Sequence, residues 1–273
     1  TVLSRGLGDV YKRQQYPDIN TETAAAYQIS SERIYSSVDD LIAGEREAID
    51  AVVILTPTPL HKGHVIDCLN AGLPVICEKA LALSSVEANE IEAVVNSKKG
   101  FLSVTYNYSG YPILRELREM IALGKLGKIQ QIHVEMPQEG FARKDSSGKP
   151  ITPQEWRLRD RTLSTLSLDL GVHVHHLIRF LIREQPLALV ATQNSFGAFE
   201  TVIDNSLCLI KYSNSIVGNI WYSKSALGYR NGLKVRVFGS RGSAEWYQFE
   251  PEYLRVSDEQ GKLSVLDLSL IHI

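Results

Sequence analysis

Two structural classes follow each other in this chain. The sequence predicts an α/β domain with a parallel sheet, and after it an α+β domain with a large open antiparallel sheet. The α/β prediction comes from Asp50–Ala80, where two short β-branched apolar runs flank a segment of helix length, as in a strand–helix–strand unit. The second prediction comes from alternating apolar and polar residues after Lys128, separated by tight polar turns. We therefore expect domains over residues 15–128 and 129–267.

The strand–helix–strand unit ends each of its strands in residues that carry chemistry. The run Ala51–Leu55 fits a strand buried on both faces, and Thr56-Pro57 ends it because proline cannot donate to a ladder. The second strand, Pro74–Cys77, leads directly into Glu78 and Lys79. Open α/β sheets bind ligands at the carboxyl ends of their strands, so we expect a ligand at this edge.

Helix caps and breakers predict the other elements of the first domain. Ser37 and Ser84 each precede an acidic residue by three positions, which is the pattern of a capping box. Pro112 suits the first turn of a helix, where its missing N–H is not needed. The predicted helices are Asp18–Ile29, Val38–Ala43, Leu60–Asn70, Ser84–Lys98 and Ile113–Leu123, and the predicted strands are Arg33–Tyr35 and Phe101–Thr105.

Period-two alternation predicts the strands of the second domain. A long helix, Ser167–Ile182, is expected to cover one face of their sheet. We expect the other face to carry Ile216, Val217, Ile220 and Trp221 and to form a homo-oligomer, a dimer or tetramer. The predicted strands are Ile129–Met136, Leu187–Phe196, Ser206–Tyr212, Ile216–Tyr222, Gly232–Phe238 and Ala244–Phe249.

Composition excludes several classes of partner. The chain has 273 residues, 44% of them hydrophobic and 22% charged, with a net charge of −2, so it offers no basic field for nucleic acid. No apolar stretch is long enough to span a bilayer, and we expect no membrane partner. The odd number of cysteines, Cys68, Cys77 and Cys208, without paired spacing, favours buried thiols in a reduced, cytoplasmic protein.

The two ends of the chain look foreign to the protein. One possible coding of residues 9–14 has a reverse complement that translates to residues 268–273, so we interpret 1–14 and 268–273 as library-derived sequence. Gly6 and Gly8 fall in this stretch and receive no functional weight. Without a first strand and a Gly-x-Gly-x-x-Gly turn, the chain as given is expected to bind a dinucleotide weakly or not at all and to be inactive by itself.

Several motifs together resemble one family. They are Thr56-Pro57, Leu60-His61, Glu78-Lys79, Thr105-Tyr-Asn-Tyr108, Glu155-Trp-Arg157, Asp169-x-Gly-x-His173 and Gly228-Tyr-Arg-Asn-Gly232. This set resembles the Gfo/Idh/MocA oxidoreductases, named for glucose-fructose oxidoreductase and inositol dehydrogenase. The resemblance covers roughly Gln15 to Asp258 and implies a Rossmann-type first domain that is truncated at its amino-terminal side.

The resemblance implies an NAD- or NADP-dependent dehydrogenase that acts on a secondary hydroxyl of a sugar, cyclitol or related polyol. It implies proton transfer by Lys79 and His173, with Asp169 orienting the substrate. Asp169 and His173 are four residues apart on the predicted helix, so their side chains should share one face. The implied cofactor-binding residues are Thr56, Pro57, His61, Glu78, Lys79 and Asn107, and the implied substrate-binding residues are Tyr106, Trp156, Arg157, His176 and Asn231.

The chain departs from the family pattern at two points. Ala80 stands where the family has proline after the lysine, and a cis bond before a non-proline residue costs about 2.5–4 kcal/mol. We therefore expect Lys79 to be less rigidly aimed. Residues Leu163–Leu168 replace a glycine-rich lead-in to Asp169, which changes the expected shape of the substrate pocket.

Two alternatives to the dehydrogenase remain open. The first is a nonenzymatic dinucleotide-binding or sensor protein of the same fold, suggested by those departures. The second is a metal-dependent enzyme that uses Asp169, His173 and His176, although a catalytic zinc needs three convergent ligands and we assign no metal residue. Taken singly, Lys79 fits a solvated strand end, Asp169 and His173 fit a helix-surface ion pair, and His173 also fits a core histidine.

Overall fold

The computed structural model describes residues 17–267, with side chains from residue 22 onward. The suspected foreign segments and the glycines at positions 6 and 8 lie outside the described residues. The chain divides into two compact units, one ending at Thr105 and the other beginning at Tyr106. The predicted domain boundary, after Lys128, is later in the chain than this division. The observed division is earlier because the helix Pro112–Ala122 contributes Ile113, Leu117 and Met120 to the core of the second unit.

The first unit contains a parallel sheet in the order β1-β2-β3. Val52 is in register with Val75, which in turn is in register with Leu102. Its elements are helices α1 (Pro17–Ala26), α2 (Val38–Glu45), α3 (His61–Asn70) and α4 (Ser85–Lys98) and strands β1 (Val52–Ile54), β2 (Val75–Glu78) and β3 (Leu102–Thr105).

Side-chain caps start two of these helices as predicted. Ser37 accepts a hydrogen bond from the Asp40 N–H and Ser84 accepts one from the Glu87 N–H, which satisfies an otherwise unpaired donor of each first turn. The Glu87 carboxylate accepts a hydrogen bond from the Leu83 N–H. These contacts confirm the predicted helix starts.

Two expectations for the first unit are wrong. Arg33–Tyr35 is not a strand: Ser31–Arg33 is a short 3-10 turn, and the side chains of Arg33 and Tyr35 both bind the buried carboxylate of Glu45. Strand β1 is not buried on both faces, since Val53 is 46% exposed and Leu55 is 43% exposed. Among the described strands β1 pairs only with β2, so it forms an edge.

The second unit contains an eight-stranded sheet in the order β11-β10-β9-β8-β4-β7-β6-β5. The eight strands form seven neighbouring pairs, and six of these are antiparallel, which confirms the predicted large antiparallel sheet; only β4 and β7 among these described strands run parallel. The strands are β4 (Ile129–Pro137), β5 (Pro186–Asn194), β6 (Asn205–Tyr212), β7 (Val217–Ser223), β8 (Lys234–Gly239), β9 (Gly242–Tyr247), β10 (Tyr253–Ser257) and β11 (Leu263–Asp267). Strands β10 and β11 are not among the strands predicted from the sequence.

Helices α5 (Pro112–Ala122) and α6 (Val172–Ile182) share the core of the second unit with one face of this sheet. Trp246, Leu117 and Leu177 are fully buried there, and burying a side chain of this kind contributes about 1.5–3 kcal/mol. The segment Ser167–Gly171, which precedes α6, is π-helical. The long helix is thus confirmed in extent, but its first turn is wider than an α-helical turn.

The open face of the sheet carries a different set of residues from the one predicted. Val217 is 50% exposed, but Ile216 and Ile220 are 4% and 5% exposed and belong to the core. Alternation along β7 places Val217 and Trp221 on one side and Ile220 on the other. Neighbouring exposed residues in register with that side are Val190, Leu207 and Leu209. No helix of the described residues is long and apolar enough to cross a membrane.

Candidate active site

In the first unit, functional side chains follow the carboxyl ends of parallel strands. Thr56 and Pro57 come after β1, and Glu78 and Lys79 lie at the end of β2. Because β1 and β2 are parallel and in register, these residues lie at the same edge of the sheet. The structure therefore brings the predicted Thr56, Pro57, Glu78 and Lys79 together.

The buried ring of His61 contacts the backbone just after β1 and just after β2. Its ring is fully buried, with Nδ1 2.7 Å from the carbonyl oxygen of Ala80 and Nε2 2.6 Å from that of Thr56. A neutral imidazole donates to one of these oxygens, and a doubly protonated ring donates to both. The structure gives His61 the role of a backbone tie between the two strand ends, and its contact with the cofactor stays a prediction.

The Glu78-Lys79 tip is half-buried and is held by its own backbone. The Lys79 N–H donates to Glu78 Oε1 at 2.9 Å, and Ala80 is 3% exposed. The Lys79–Ala80 peptide is cis although residue 80 is not proline. The path of the chain at Lys79 is thus set by Glu78, by the buried Ala80 and by the carbonyl contact to His61.

In the second unit, Asp169 is held by two cations. It lies in the π-helical segment before α6, and its Oδ2 forms ion pairs with Arg157 and with Lys224. The Asp169 and Lys224 side chains are 13% and 8% exposed, so this is a largely buried cluster. Two nearby cations stabilise the ionised form of a carboxylate. Lys224 is not among the site residues predicted from the sequence. The sequence feature that could have indicated it is a lysine directly after an apolar strand.

His173, in the first turn of α6, packs against aromatic rings. It is 9% exposed and makes edge contacts with Tyr108, at 4.9 Å between ring centroids, and with Tyr106, at 6.0 Å. Tyr106 also stacks on His176 at 4.1 Å. Burial raises the pKa of Tyr106. The pKa of His176 is lowered, mainly by burial and to a smaller extent by the charge of His175. Predicted residues Tyr106, His173 and His176 therefore form one cluster.

Tyr108 links this aromatic cluster to the polar residues of the site. Asn231 Nδ2 lies 3.5 Å from the Tyr108 hydroxyl, and Asn231 Oδ1 accepts a hydrogen bond from Gln138. Burial raises the pKa of Tyr108, and the negative charge of Asp169 adds to the increase. Tyr108 ends the motif Thr105-Tyr-Asn-Tyr108, but it is not among the predicted site residues.

Trp156 and Arg157 lie on the 3-10 turn Glu155–Leu158. The Arg157 guanidinium lies over the Trp156 ring at 4.6 Å, and the Trp156 Nε1–H donates to Gln154. Through the ion pair of Arg157 with Asp169, this turn joins the same site. The predicted substrate-binding residues of the second unit thus lie around Asp169 and His173.

The strand ends of the first unit present polar groups at one edge of the sheet. They offer Thr56, Glu78 and Lys79 as polar groups beside an apolar sheet. Phosphates are usually cradled by a glycine-rich turn at a helix N-terminus, and residues 17–267 contain no Gly-x-Gly-x-x-Gly sequence. Within that described range, no group of three or more His, Cys, Asp and Glu side chains is arranged to hold a metal ion.

Comparison with known proteins places both halves of the chain in one family. A family model described as "Oxidoreductase family, NAD-binding Rossmann fold" matches residues 13–106. A second model, described as "GFO/IDH/MocA C-terminal domain", matches residues 114–245. Together the two models match most of the chain.

Individual relatives agree with this assignment. The chain is 31% identical over 247 residues to the uncharacterized oxidoreductase YfiI of Bacillus subtilis, covering 87% of the chain and 62% of the relative. It is 27% identical to levoglucosan dehydrogenase of Pseudarthrobacter phenanthrenivorans, covering 71% of the chain and 54% of the relative. The chain therefore spans little more than half the length of these relatives.

A solved structure supports the fold. The chain is similar to an inositol dehydrogenase homolog from Azotobacter vinelandii complexed with NADH and myo-inositol, with a TM-score of 0.81 and 27% identity. The match covers 90% of this chain and 64% of that one. The similarity extends over both units.

Proposed function

The chain belongs to the Gfo/Idh/MocA oxidoreductases, and we propose that it is part of an NAD(P)-dependent dehydrogenase. In this proposal the complete protein transfers a hydride between a nicotinamide and a secondary hydroxyl of a sugar, cyclitol or related polyol. The observation that carries the proposal is the cluster in the second unit, where a largely buried, ion-paired carboxylate, Asp169, lies four residues before an imidazole, His173, that packs against flat aromatic rings. Polyol binding uses this combination of groups.

We propose that the chain's own residues divide the work as follows. Asp169 accepts a hydrogen bond from a substrate hydroxyl and fixes the ring, with Trp156, Arg157, Tyr106, His176 and Asn231 around it. Lys79 and His173 take the proton of the reacting hydroxyl, which general base catalysis makes about 10²–10⁴-fold faster. Thr56, Pro57, Glu78, Lys79 and Asn107 hold the nicotinamide end of the cofactor, and the bound cofactor supplies the hydride acceptor.

The second candidate is a dinucleotide-binding sensor without turnover. The substitution of Ala80 for the family's proline, and the lead-in Leu163–Leu168 before Asp169, are the observations that favour it. It differs from the dehydrogenase in one measurable respect, since it binds cofactor and polyol but does not reduce NAD or NADP.

We also infer a homo-oligomer and a cytoplasmic location. The oligomer is supported by the exposed apolar residues of the open sheet face, among them Val190, Leu207 and Leu209. The location is supported by the free thiols of the described cysteines; burial raises the pKa of Cys68 to about 11 and that of Cys77 to about 12, which keeps both protonated.

The test is a turnover assay of the complete protein with a panel of cyclitols, aldoses and anhydrosugars, following absorbance of NADH and NADPH. We expect turnover with at least one polyol. Binding of cofactor and polyol without turnover across the panel would favour the sensor instead. In parallel, calorimetry on the 273-residue chain is expected to give weak or no binding of NAD and NADP, and micromolar binding would mean that the phosphate site has been misplaced.

A further inference from the structure

Lys224 is an unusually buried lysine for which the function proposed above has no role. Its side chain is 8% exposed, whereas lysine is almost never fully buried unless it is paired. Its ammonium binds Asp169 Oδ2 and lies 5.0 Å from the centroid of the Phe141 ring. We propose that Lys224 is a positioning residue that keeps Asp169 ionised and aimed, while Arg157 is the partner that yields when a substrate hydroxyl reaches the carboxylate. This inference rests on the proposed dehydrogenase function.

The backbone at Lys224 is fixed from two sides. It directly follows β7, its N–H donates to the carbonyl oxygen of Asp204 at 2.7 Å, and its own carbonyl oxygen accepts the Phe141 N–H at 2.8 Å. Asp204 is itself fully buried and accepts from the N–H groups of Phe196 and Gly197. The position of the ammonium is therefore set by the sheet and by the loops anchored to it.

Arg157 is held in a different way. It lies on the one-turn 3-10 segment Glu155–Leu158, its side chain is 27% exposed, and its ring and amide contacts are to Trp156 and Gln154, its near neighbours in sequence. The Arg157 carbonyl oxygen accepts a hydrogen bond from the Thr165 hydroxyl, so a displacement would involve the Arg157 side chain and not the turn itself. Of the two cations on Asp169, Arg157 is the one that a substrate hydroxyl can displace.

The energetics favour keeping a cation such as Lys224 on Asp169. Leaving a buried carboxylate without a compensating charge is strongly destabilising. If Lys224 remains when Arg157 moves away, the carboxylate stays ionised and can accept a hydrogen bond from the substrate. Hydrogen bonds to charged groups are stronger than those between neutral groups, so the acid holds the polyol more firmly.

The test is a double-mutant cycle in the complete protein, with Lys224→Met, Asp169→Asn and the double variant. We expect Lys224→Met to lower kcat/KM for the polyol by roughly 10–100-fold, with cofactor affinity unchanged, since the lost interaction involves a charged group. Because Lys224 acts through Asp169, the double variant should be no worse than Asp169→Asn alone. Lys224→Arg, which keeps the charge, should recover part of the loss.

Lys234→Met is the matched control. Lys234 is in β8 of the same sheet, pairs with Glu245 at 3.1 Å and lies 5.9 Å from the Tyr247 ring centroid, so it makes the same kinds of contact as Lys224. The kcat/KM of Lys234→Met should stay within about twofold of the parent, as expected for a partly exposed ion pair.

Three outcomes overturn the inference. One is a fully additive cycle, which would mean that Lys224 acts independently of Asp169. The others are an unchanged kcat/KM in Lys224→Met, and a loss that Lys224→Arg does not reduce at all. The same cycle is read by thermal unfolding, where Lys224→Met should lower Tm by less when Asp169→Asn is already present. If the parent protein turns over no polyol, the proposed function fails, and the Tm cycle still decides whether Lys224 and Asp169 are coupled.

Discussion

The edge of the parallel sheet and the Asp169 cluster hold their functional groups by different means. In the first unit, His61 contacts two backbone carbonyl oxygens, and Glu78 binds the N–H of its own neighbour, Lys79. In the second unit, Asp169 is held by the side chains of Arg157, 12 residues away, and Lys224, 55 residues away. The first arrangement depends on the path of the chain, and the second depends on charges brought together by the fold.

This difference predicts how the two regions respond to substitution. At the sheet edge, replacing a residue that ties the backbone should lower stability first. In the Asp169 cluster, replacing a charged residue should change substrate affinity and rate while most of the fold remains. Lys79 is the exception at the edge, because its side chain is proposed to take part in the reaction.

The largest expected effect is that of Lys79→Ala in the complete protein. We expect kcat to fall by about 10²–10⁴-fold with little change in cofactor affinity, because a general base acts only as the transition state forms. Steady-state kinetics and cofactor titration measure the two quantities. Lys62→Ala, which removes a partly exposed lysine of α3 that pairs with Glu90, is the control. Near-normal turnover in Lys79→Ala would contradict the role of the Glu78-Lys79 tip.

Asp169→Asn should have a smaller effect of a different kind. The amide keeps the shape of the side chain but loses the charge, so a hydrogen bond worth about 1.5–3 kcal/mol to the substrate weakens. That corresponds to a loss of roughly 10–150-fold in kcat/KM, with KM raised, since the bond is made to bound substrate as well as to the transition state. A variant with unchanged KM and a reduced kcat would instead place Asp169 in the chemical step.

His61→Ala tests the backbone tie. We expect the free energy of unfolding of the first unit to fall by about 1–3 kcal/mol, because the ring's hydrogen bond to one of the two carbonyl oxygens, and its contact with the other, are lost. Tryptophan fluorescence would report on the second unit, because all tryptophans lie there. Amide hydrogen exchange at Val75–Glu78 is therefore the suitable measurement for the first unit. His64→Ala, which changes a histidine one turn along α3, is the control. Equal protection of β2 amides in both variants would count against the tie.

The smallest expected effect on the fold of a single chain is that of Leu209→Glu on the open sheet face. Leu209 is 58% exposed, and exposed substitutions usually change stability by within about 0.5 kcal/mol. If this face is the oligomer interface, the charge should dissociate the complete protein into monomers, as measured by light scattering. Leu123→Glu, at an exposed apolar position just after α5, should leave the assembly intact. A parent protein that is monomeric at high concentration would contradict the interface.

Local rules account for what could be predicted of the fold. Ser37 and Ser84 start helices because their hydroxyls reach an N–H three residues on, and this depends only on nearby sequence. Arg33–Tyr35 failed as a strand because its side chains are recruited by Glu45, a partner that strand propensity does not include. The sides of β7 were misassigned because the segment Ile216–Trp221 has apolar residues in adjacent pairs and therefore no clear period of two.

The sequence by itself determined the family and the strand–helix–strand unit, and it singled out Lys79, Asp169 and His173 as candidate catalytic residues, because all of these are carried by contiguous motifs. Tertiary structure alone decided that β4 and β7 are parallel, that the ring of His61 faces two carbonyl oxygens, and that Lys224 lies beside Asp169. Strand pairing and ion pairs between residues far apart in sequence depend on where the fold places both partners. A local sequence pattern contains only one of the two partners and therefore cannot predict the pair.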